Sequence, residues 1–222
     1  MACPICQKRK AKRFCPGKGE SICPVCCGTE REVTIDCPGD CPYLVASRRY
    51  GEERKTFTAG DLPFPDVAVP EDLVHVQRKF LSGLGYAILL FWKQTKGLTD
   101  AEALIALEHM AQTFETLRSG IYYEKLPDAA LPRELYRQLA AFIQEYQKNE
   151  AERTGSAPLS LTGAPALPEK EIFQVLVFLL RVGRSRTNGR PKSRAFLDFL
   201  RAQYPAEADL RKEEPRIIVP GS

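Results

Sequence analysis

Apolar residues in the second part of the chain recur every three to four positions, which is the pattern of α-helices that bury one face. A first helix is predicted over 71–96, with acidic residues in its first turn and Gly97 beyond its end. A capping box at 99–102 starts a second helix, which runs to about Arg118 and ends before Gly120. Three further helices are predicted over 132–152, 169–182 and 193–204.

These segments predict a mostly α fold with a helical bundle of about five helices. The helix over 71–96 has a broad apolar face, so we expect it at the centre of the bundle. Gly83 and Gly85 thin this helix where another helix can approach closely. The apolar run over 172–180 favours a buried helix, although the run alone is also compatible with a strand.

The first 41 residues lack this periodicity and contain few large apolar side chains, so they cannot bury an adequate core alone. They do contain all 8 cysteines of the chain. Two of the intervals are Cys-Pro-x-Cys knuckles, at 3–6 and 23–26, in which two thiolates converge on one metal ion. Four thiolates around tetrahedral zinc form a closed site, which is structural rather than catalytic.

The cysteine spacing predicts two zinc ions in a cross-brace, because the two ligand sets alternate along the chain. Cys26 and Cys27 are adjacent, so either one can serve either ion and the division stays open. The first cysteine set comprises Cys3, Cys6, Cys23 and Cys26. The second cysteine set comprises Cys15, Cys27, Cys37 and Cys41.

Two other readings of the cysteines are disfavoured. An iron–sulfur cluster is disfavoured because the tight Cys-x2-Cys-x2-Cys run of ferredoxins is missing. A disulfide framework is disfavoured because we find no secretory signal.

Residues 3–26 resemble a B-box zinc finger, with a ligand pair, Phe14 before Cys15 and a second pair after a short loop. B-boxes usually place a fourth ligand three residues after the third, where this chain has Lys18, so Cys27 or a later cysteine would take that place. The resemblance is confined to the N-terminal residues and implies a small zinc-stabilised fold.

The formal net charge of +4 lies in the first 60 residues, and bases concentrate in two clusters along the chain. Lysine and arginine bind phosphate oxygens, so both clusters predict contacts with nucleic acid or another polyphosphate. Solvation or intramolecular pairing is the alternative. The first basic cluster comprises Lys8, Arg9, Lys10, Lys12 and Arg13. The second basic cluster spans residues 181–194, with Arg184, Arg186, Arg190, Lys192 and Arg194 as the candidate contacts.

The sequence contains no catalytic motif, and no catalytic residue is assigned. His75 and His109 have no partner visible in the sequence, and Tyr122 with Tyr123 favours a structural anchor over a stacking platform. The predicted function is therefore a non-catalytic zinc-finger protein that binds nucleic acid through its basic loops. A protein–protein adaptor that uses the zinc module and the helical faces is the alternative, and an enzyme is third.

The predicted domain order is a zinc-binding module with a closing helix over 1–57, a proline-rich linker over 58–70, the bundle over 71–205 and an extended tail over 206–222. We expect a cytoplasmic protein, because the first residues resemble no signal peptide and the apolar run at 86–92 is too short to span a bilayer. No membrane partner and no small-molecule substrate are expected.

Overall fold

The computed structural model describes residues 1–56, 58–118, 120, 123–154 and 167–204. Within these ranges the chain forms eight α-helices and one two-stranded sheet, which confirms the predicted fold class of a small N-terminal module joined to a helical bundle. The predicted tail over 206–222 lies outside the described residues.

The N-terminal segment, residues 1–56, is called the cysteine module below. Its antiparallel strands β1 (Arg13–Cys15) and β2 (Glu20–Ile22) are joined by a turn in which Gly19 has a φ of 69°. Helices α1 (Pro24–Glu30) and α2 (Pro42–Glu52) follow. Each helix starts with a proline after a cysteine, and proline suits this first position because no helical partner is needed for its nitrogen. The sequence predicted α2 but neither α1 nor the strands.

The bundle contains the predicted helices with one division. The helix predicted over 71–96 is interrupted at Gln77, whose φ of −95° and ψ of 23° depart from helical values. The Gln77 amide donates to Glu171 at 2.6 Å, which ties the break to a neighbouring helix. The helices are α3 (Glu71–Val76), α4 (Arg78–Gln94), α5 (Asp100–Arg118), α6 (Ala130–Thr154), α7 (Glu169–Arg186) and α8 (Ala195–Gln203).

Helices α5 and α7 are the most extensively buried elements, and they pack mainly against each other. The expectation that the 71–96 segment is central is therefore wrong. The physical reason is that α7 is apolar around most of its circumference over 172–180, so other elements can enclose it. The strand alternative for this run is likewise wrong. Close helix contacts occur where predicted, since Gly83 lies directly against the Phe142 ring of α6.

The segment over 58–70, predicted as a linker, lies along α7. It contains a short 3-10 turn at Ala59–Asp61 and a second turn in which the Val67 N–H donates to the Phe64 carbonyl at 3.0 Å. The Phe64 ring meets Phe173 edge-on with centroids 5.5 Å apart, and Arg181 donates to the backbone carbonyl of Phe64 at 2.5 Å. The Gln174 amide donates to the Ala68 carbonyl at 2.8 Å. The segment is thus fastened to the bundle by ring packing and by hydrogen bonds to its backbone.

None of the helices in the described ranges combines the length and apolar character that crossing a membrane would require.

Candidate metal centre and basic surfaces

The side chains of the first cysteine set converge on one point. Their four Sγ atoms all lie within 4.8 Å of one another, and the Sγ atoms of Cys6 and Cys23 are 3.9 Å apart. A tetrahedron of thiolates with zinc–sulfur bonds of about 2.3 Å has edges of about 3.8 Å. The set therefore fits one tetrahedral metal ion with four sulfur ligands.

Two local structures position these ligands. In the first knuckle, the Gln7 backbone N–H donates to the Cys3 carbonyl at 2.7 Å, and Gln7 takes a φ of 53° to close the turn. The second pair comes from the start of α1, where Cys23 is the N-cap residue and accepts from the Cys26 N–H at 3.4 Å. The Cys23 N–H in turn donates to the Cys3 Sγ at 3.2 Å. Such donors stabilise negative charge on sulfur and hold the ligands in place.

The surroundings of the first set shift the pKa values of two of its cysteines in opposite directions. Backbone N–H groups of Lys8 and Arg9 lower the pKa of Cys6 to about 6, which favours its thiolate at neutral pH. Burial and the neighbouring thiol of Cys23 raise the pKa of Cys26 to about 12. A divalent cation would supply the charge that allows all four groups to lose their protons.

The first set has the character of a structural site. The side chains of Cys3 and Cys23 are fully buried, and four protein ligands leave no coordination position for water or substrate. The cysteines also form much of the core of the module, together with Ile22 and Ile35. Metal binding here would stabilise the fold of the module.

The second cysteine set is arranged less tightly. Among the residues that the structure describes, the first set alone has its ligand atoms so close together. Burial raises the pKa of Cys37, and the nearby charges of Cys15 and Cys41 act in the same direction. The Cys27 Sγ instead accepts from the Arg31 guanidinium at 3.6 Å. The geometry therefore places Cys26 in the first set and leaves Cys27 outside it.

The first basic cluster lies on the surface between the first knuckle and β1. Lys8, Arg9, Lys10 and Lys12 are exposed, and their side chains make no hydrogen bond or ion pair with the described part of the chain. Arg13 differs, since it is half-buried with its guanidinium 4.7 Å from the centre of the Tyr43 ring.

The second basic cluster is engaged with other parts of the chain. Helix α7 extends to Arg186, so only residues 187–194, here called the docking loop, form the connection to α8. The predicted contacts all have intramolecular partners: Arg184 with Glu108 and Arg186 with Glu52 as ion pairs, Arg190 with the Gly28 and Arg31 carbonyls, Lys192 with the Thr34 carbonyl and Arg194 with Asp36 as an ion pair. Intramolecular pairing is therefore present, and nucleic-acid binding by these residues stays a prediction.

A buried carboxylate at this contact was not identified from the sequence. Glu32 is 1% exposed and accepts from Arg48 and from the Asn188 amide, each at 2.7 Å. Its backbone carbonyl accepts from the Lys192 N–H at 2.8 Å. No local signal identifies Glu32, because Asn188 and Lys192 are more than 150 positions away.

The sequence also singled out two histidines and a pair of tyrosines. His109 Nδ1 lies 3.0 Å from the Lys125 carbonyl oxygen, while His75 is exposed on α3. Tyr123 is 62% exposed, and Tyr122 lies outside the described residues.

Comparison with protein-family models finds no match, and neither curated proteins nor solved structures show a significant similarity to the chain. The B-box resemblance therefore stays a prediction from the sequence. The structure is that of a mostly helical protein whose N-terminal cysteine module could hold a metal ion.

Proposed function

We propose that this chain is a non-catalytic zinc-binding protein that binds nucleic acid through its first basic cluster. The observation that carries the proposal is the availability of four cations at Lys8, Arg9, Lys10 and Lys12, which are exposed and have no partner in the described part of the chain. The second basic cluster contributes less in this folded form, because its side chains already bind carboxylates and backbone carbonyls.

The metal site would orient this cationic surface. The backbone N–H groups of Lys8 and Arg9 point to the Cys6 sulfur, so a metal ion bound there fixes the backbone from which two of the bases project. Lysine and arginine on a rigid backbone are suited to phosphate oxygens. Phe14 is 60% exposed and lies two positions after the exposed Lys12. An exposed ring beside cations favours stacking with the bases of a single strand.

Zinc is the proposed ion, and the second cysteine set is proposed to hold another. Four thiolates in a tetrahedron are the ligand set that zinc prefers in structural sites. The second set includes Cys15, Cys37 and Cys41, which are electrostatic neighbours within the small module. The Arg31 guanidinium donates to the Cys27 sulfur at 3.6 Å, a contact that would stabilise this thiolate as the fourth ligand.

The test of nucleic-acid binding is fluorescence anisotropy with a labelled single strand and its duplex, recorded over a range of salt concentrations. The variant Lys8→Gln/Arg9→Gln/Lys10→Gln/Lys12→Gln should bind at least about tenfold more weakly, with a salt slope reduced by about 3. The control Arg78→Gln/Lys96→Gln/Lys148→Gln/Lys170→Gln removes four exposed bases elsewhere and should retain affinity. Equal binding by the two variants would contradict the proposal.

A protein–protein adaptor is the second candidate, favoured by apolar side chains on the module surface. Phe14 is 60% exposed, Val25 is 47% exposed and Val33 is 37% exposed. Association through such residues changes little with salt, whereas phosphate contacts weaken steeply. A protein that binds neither strand but retains a defined partner at high salt would favour this second function.

A further inference from the structure

The docking loop binds the cysteine module mainly through hydrogen bonds to backbone carbonyl groups of the module. Arg190 Nη1 donates to the carbonyls of Gly28 at 3.0 Å and Arg31 at 2.5 Å, and Lys192 Nζ donates to the carbonyl of Thr34 at 2.6 Å. The Lys192 N–H adds a bond to the Glu32 carbonyl at 2.8 Å. These contacts therefore depend on the path of the backbone over 28–34, and the only side chain of that segment that the docking loop binds among the described contacts is Glu32, through Asn188.

That backbone path depends on the cysteine ligands. The 28–34 segment follows Cys26 and Cys27, which lie in the helix that begins after the Cys23 N-cap. Within it, Glu32 has a φ of 52°, a left-handed conformation that needs support from its surroundings. The module core consists largely of cysteines, and a segment with so little apolar volume depends on metal to stay folded. Without the ion, the carbonyl groups would lose the arrangement that Arg190 and Lys192 bind.

The buried carboxylate of Glu32 adds an electrostatic contribution to this coupling. The Glu32 carboxylate joins the docking loop through Asn188 and joins α2 through Arg48, while Arg48 also donates to Asp198 of α8 at 2.7 Å. Buried ions are stable only while their partners remain in place. Partial loosening of this point is therefore costly, which favours two states, closed and open, over a graded series.

Detachment of the docking loop would not extend into α8. Asp100 at the start of α5 accepts from Ser193 Oγ at 2.8 Å and from the N–H groups of Phe196 and Leu197. These contacts belong to the bundle, whose apolar core extends across α4 to α8 without the cysteine module. The bundle can thus remain folded when the docking loop detaches.

We infer that metal binding in the cysteine module locks the docking loop closed, and that metal release detaches the loop and frees Arg190 and Lys192. These cations are then available to an anionic ligand only in the metal-free protein. The device does not depend on nucleic-acid binding by the first basic cluster, so each can fail without the other.

Hydrogen–deuterium exchange of the full chain tests the inference. Metal-loaded protein is compared with chelator-treated protein and with the variant Cys3→Ser/Cys6→Ser. In both metal-free samples the amides of Arg190 and Lys192 should exchange at least about tenfold faster, while those over 104–111 in α5 and 172–180 in α7 keep their protection. Retained protection of the loop would overturn the inference, as would equal loss across α5 and α7 or a protein that carries no metal.

A second variant separates the lock from the metal itself. Glu32→Gln should speed loop exchange while native mass spectrometry shows the same metal content. Glu30→Gln is the matched control, because the half-buried Glu30 carboxylate accepts from the Thr34 hydroxyl at 2.6 Å within the module, and this variant should leave the loop unchanged. Identical exchange in Glu32→Gln and the parent protein would also overturn the inference.

Discussion

Arg48 donates to Glu32 at 2.7 Å in a contact from which Glu32 is almost entirely withdrawn from water, with 1% of its surface exposed. The other arm of the same guanidinium reaches Asp198 of α8 at 2.7 Å. Burial would lower the pKa of Arg48, but its hydrogen bonds to Asp198 and Glu32 raise it overall, so the side chain stays charged. One arginine of α2 therefore joins the cysteine module to the bundle.

Replacing Arg48 should lower the stability of the protein substantially. Arg48→Met leaves two carboxylates without their shared cation, and we expect the free energy of unfolding to fall by about 3 kcal/mol. Urea denaturation followed by circular dichroism measures the change. Arg137→Met is the matched control, since Arg137 forms an exposed pair with Glu134 at 3.4 Å, and it should change stability by less than about 1 kcal/mol. Similar losses of stability in both variants would show that the buried Arg48 contacts contribute no more than an exposed ion pair.

Asp100 should be required for the junction between α5 and α8. Its carboxylate caps the α8 backbone N–H groups at Phe196 and Leu197, and it is 1% exposed. Asp100→Ala should lower the melting temperature and cost about 2 kcal/mol, because three buried donors lose their acceptor. Asp100→Asn keeps one acceptor oxygen and should recover part of the loss. The exposed Asp66→Ala serves as control, and a loss there as large as in Asp100→Ala would contradict the capping role.

Helix α7 approaches α5 closely at Gly183. A Cβ at this position would overlap the Leu104 Cδ2, and Leu104 is 2% exposed with little room to move. Gly183→Ala should therefore destabilise the protein by about 1–3 kcal/mol through overpacking. Gly51→Ala in α2 meets no atom within 4 Å and should be neutral or stabilising by up to about 1 kcal/mol, since alanine favours helices. Denaturation of the two variants side by side decides the point, and a stable Gly183→Ala protein would contradict this packing.

The bundle was largely predictable because its signals are local. The predicted capping box is present, with the Thr99 N–H donating to Glu102 at 2.9 Å, and α5 ends at Arg118 as expected. The break at Gln77 was missed because it depends on a hydrogen bond to Glu171, which lies 94 positions away. The strands of the module were missed because three residues each are too few to show a period.

The candidate site was predictable in part for the same reason. The two knuckles identified the first cysteine set, and the choice of Cys26 over Cys27 followed only from the start of α1 at the Cys23 cap. The role of the second basic cluster was not readable from the sequence. A run of bases without acids looks available, and its acceptors, such as the Arg31 carbonyl, lie 159 residues away.

Metal analysis tests most directly whether the first cysteine set holds a zinc ion. Protein purified under reducing conditions should contain two equivalents of zinc by elemental analysis and native mass spectrometry. Cys3→Ser should lose the ion of the first set, and Cys37→Ser should lose that of the second. One equivalent that is insensitive to Cys37→Ser would contradict the second site alone. Iron in place of zinc, or protein without any metal, would contradict the account.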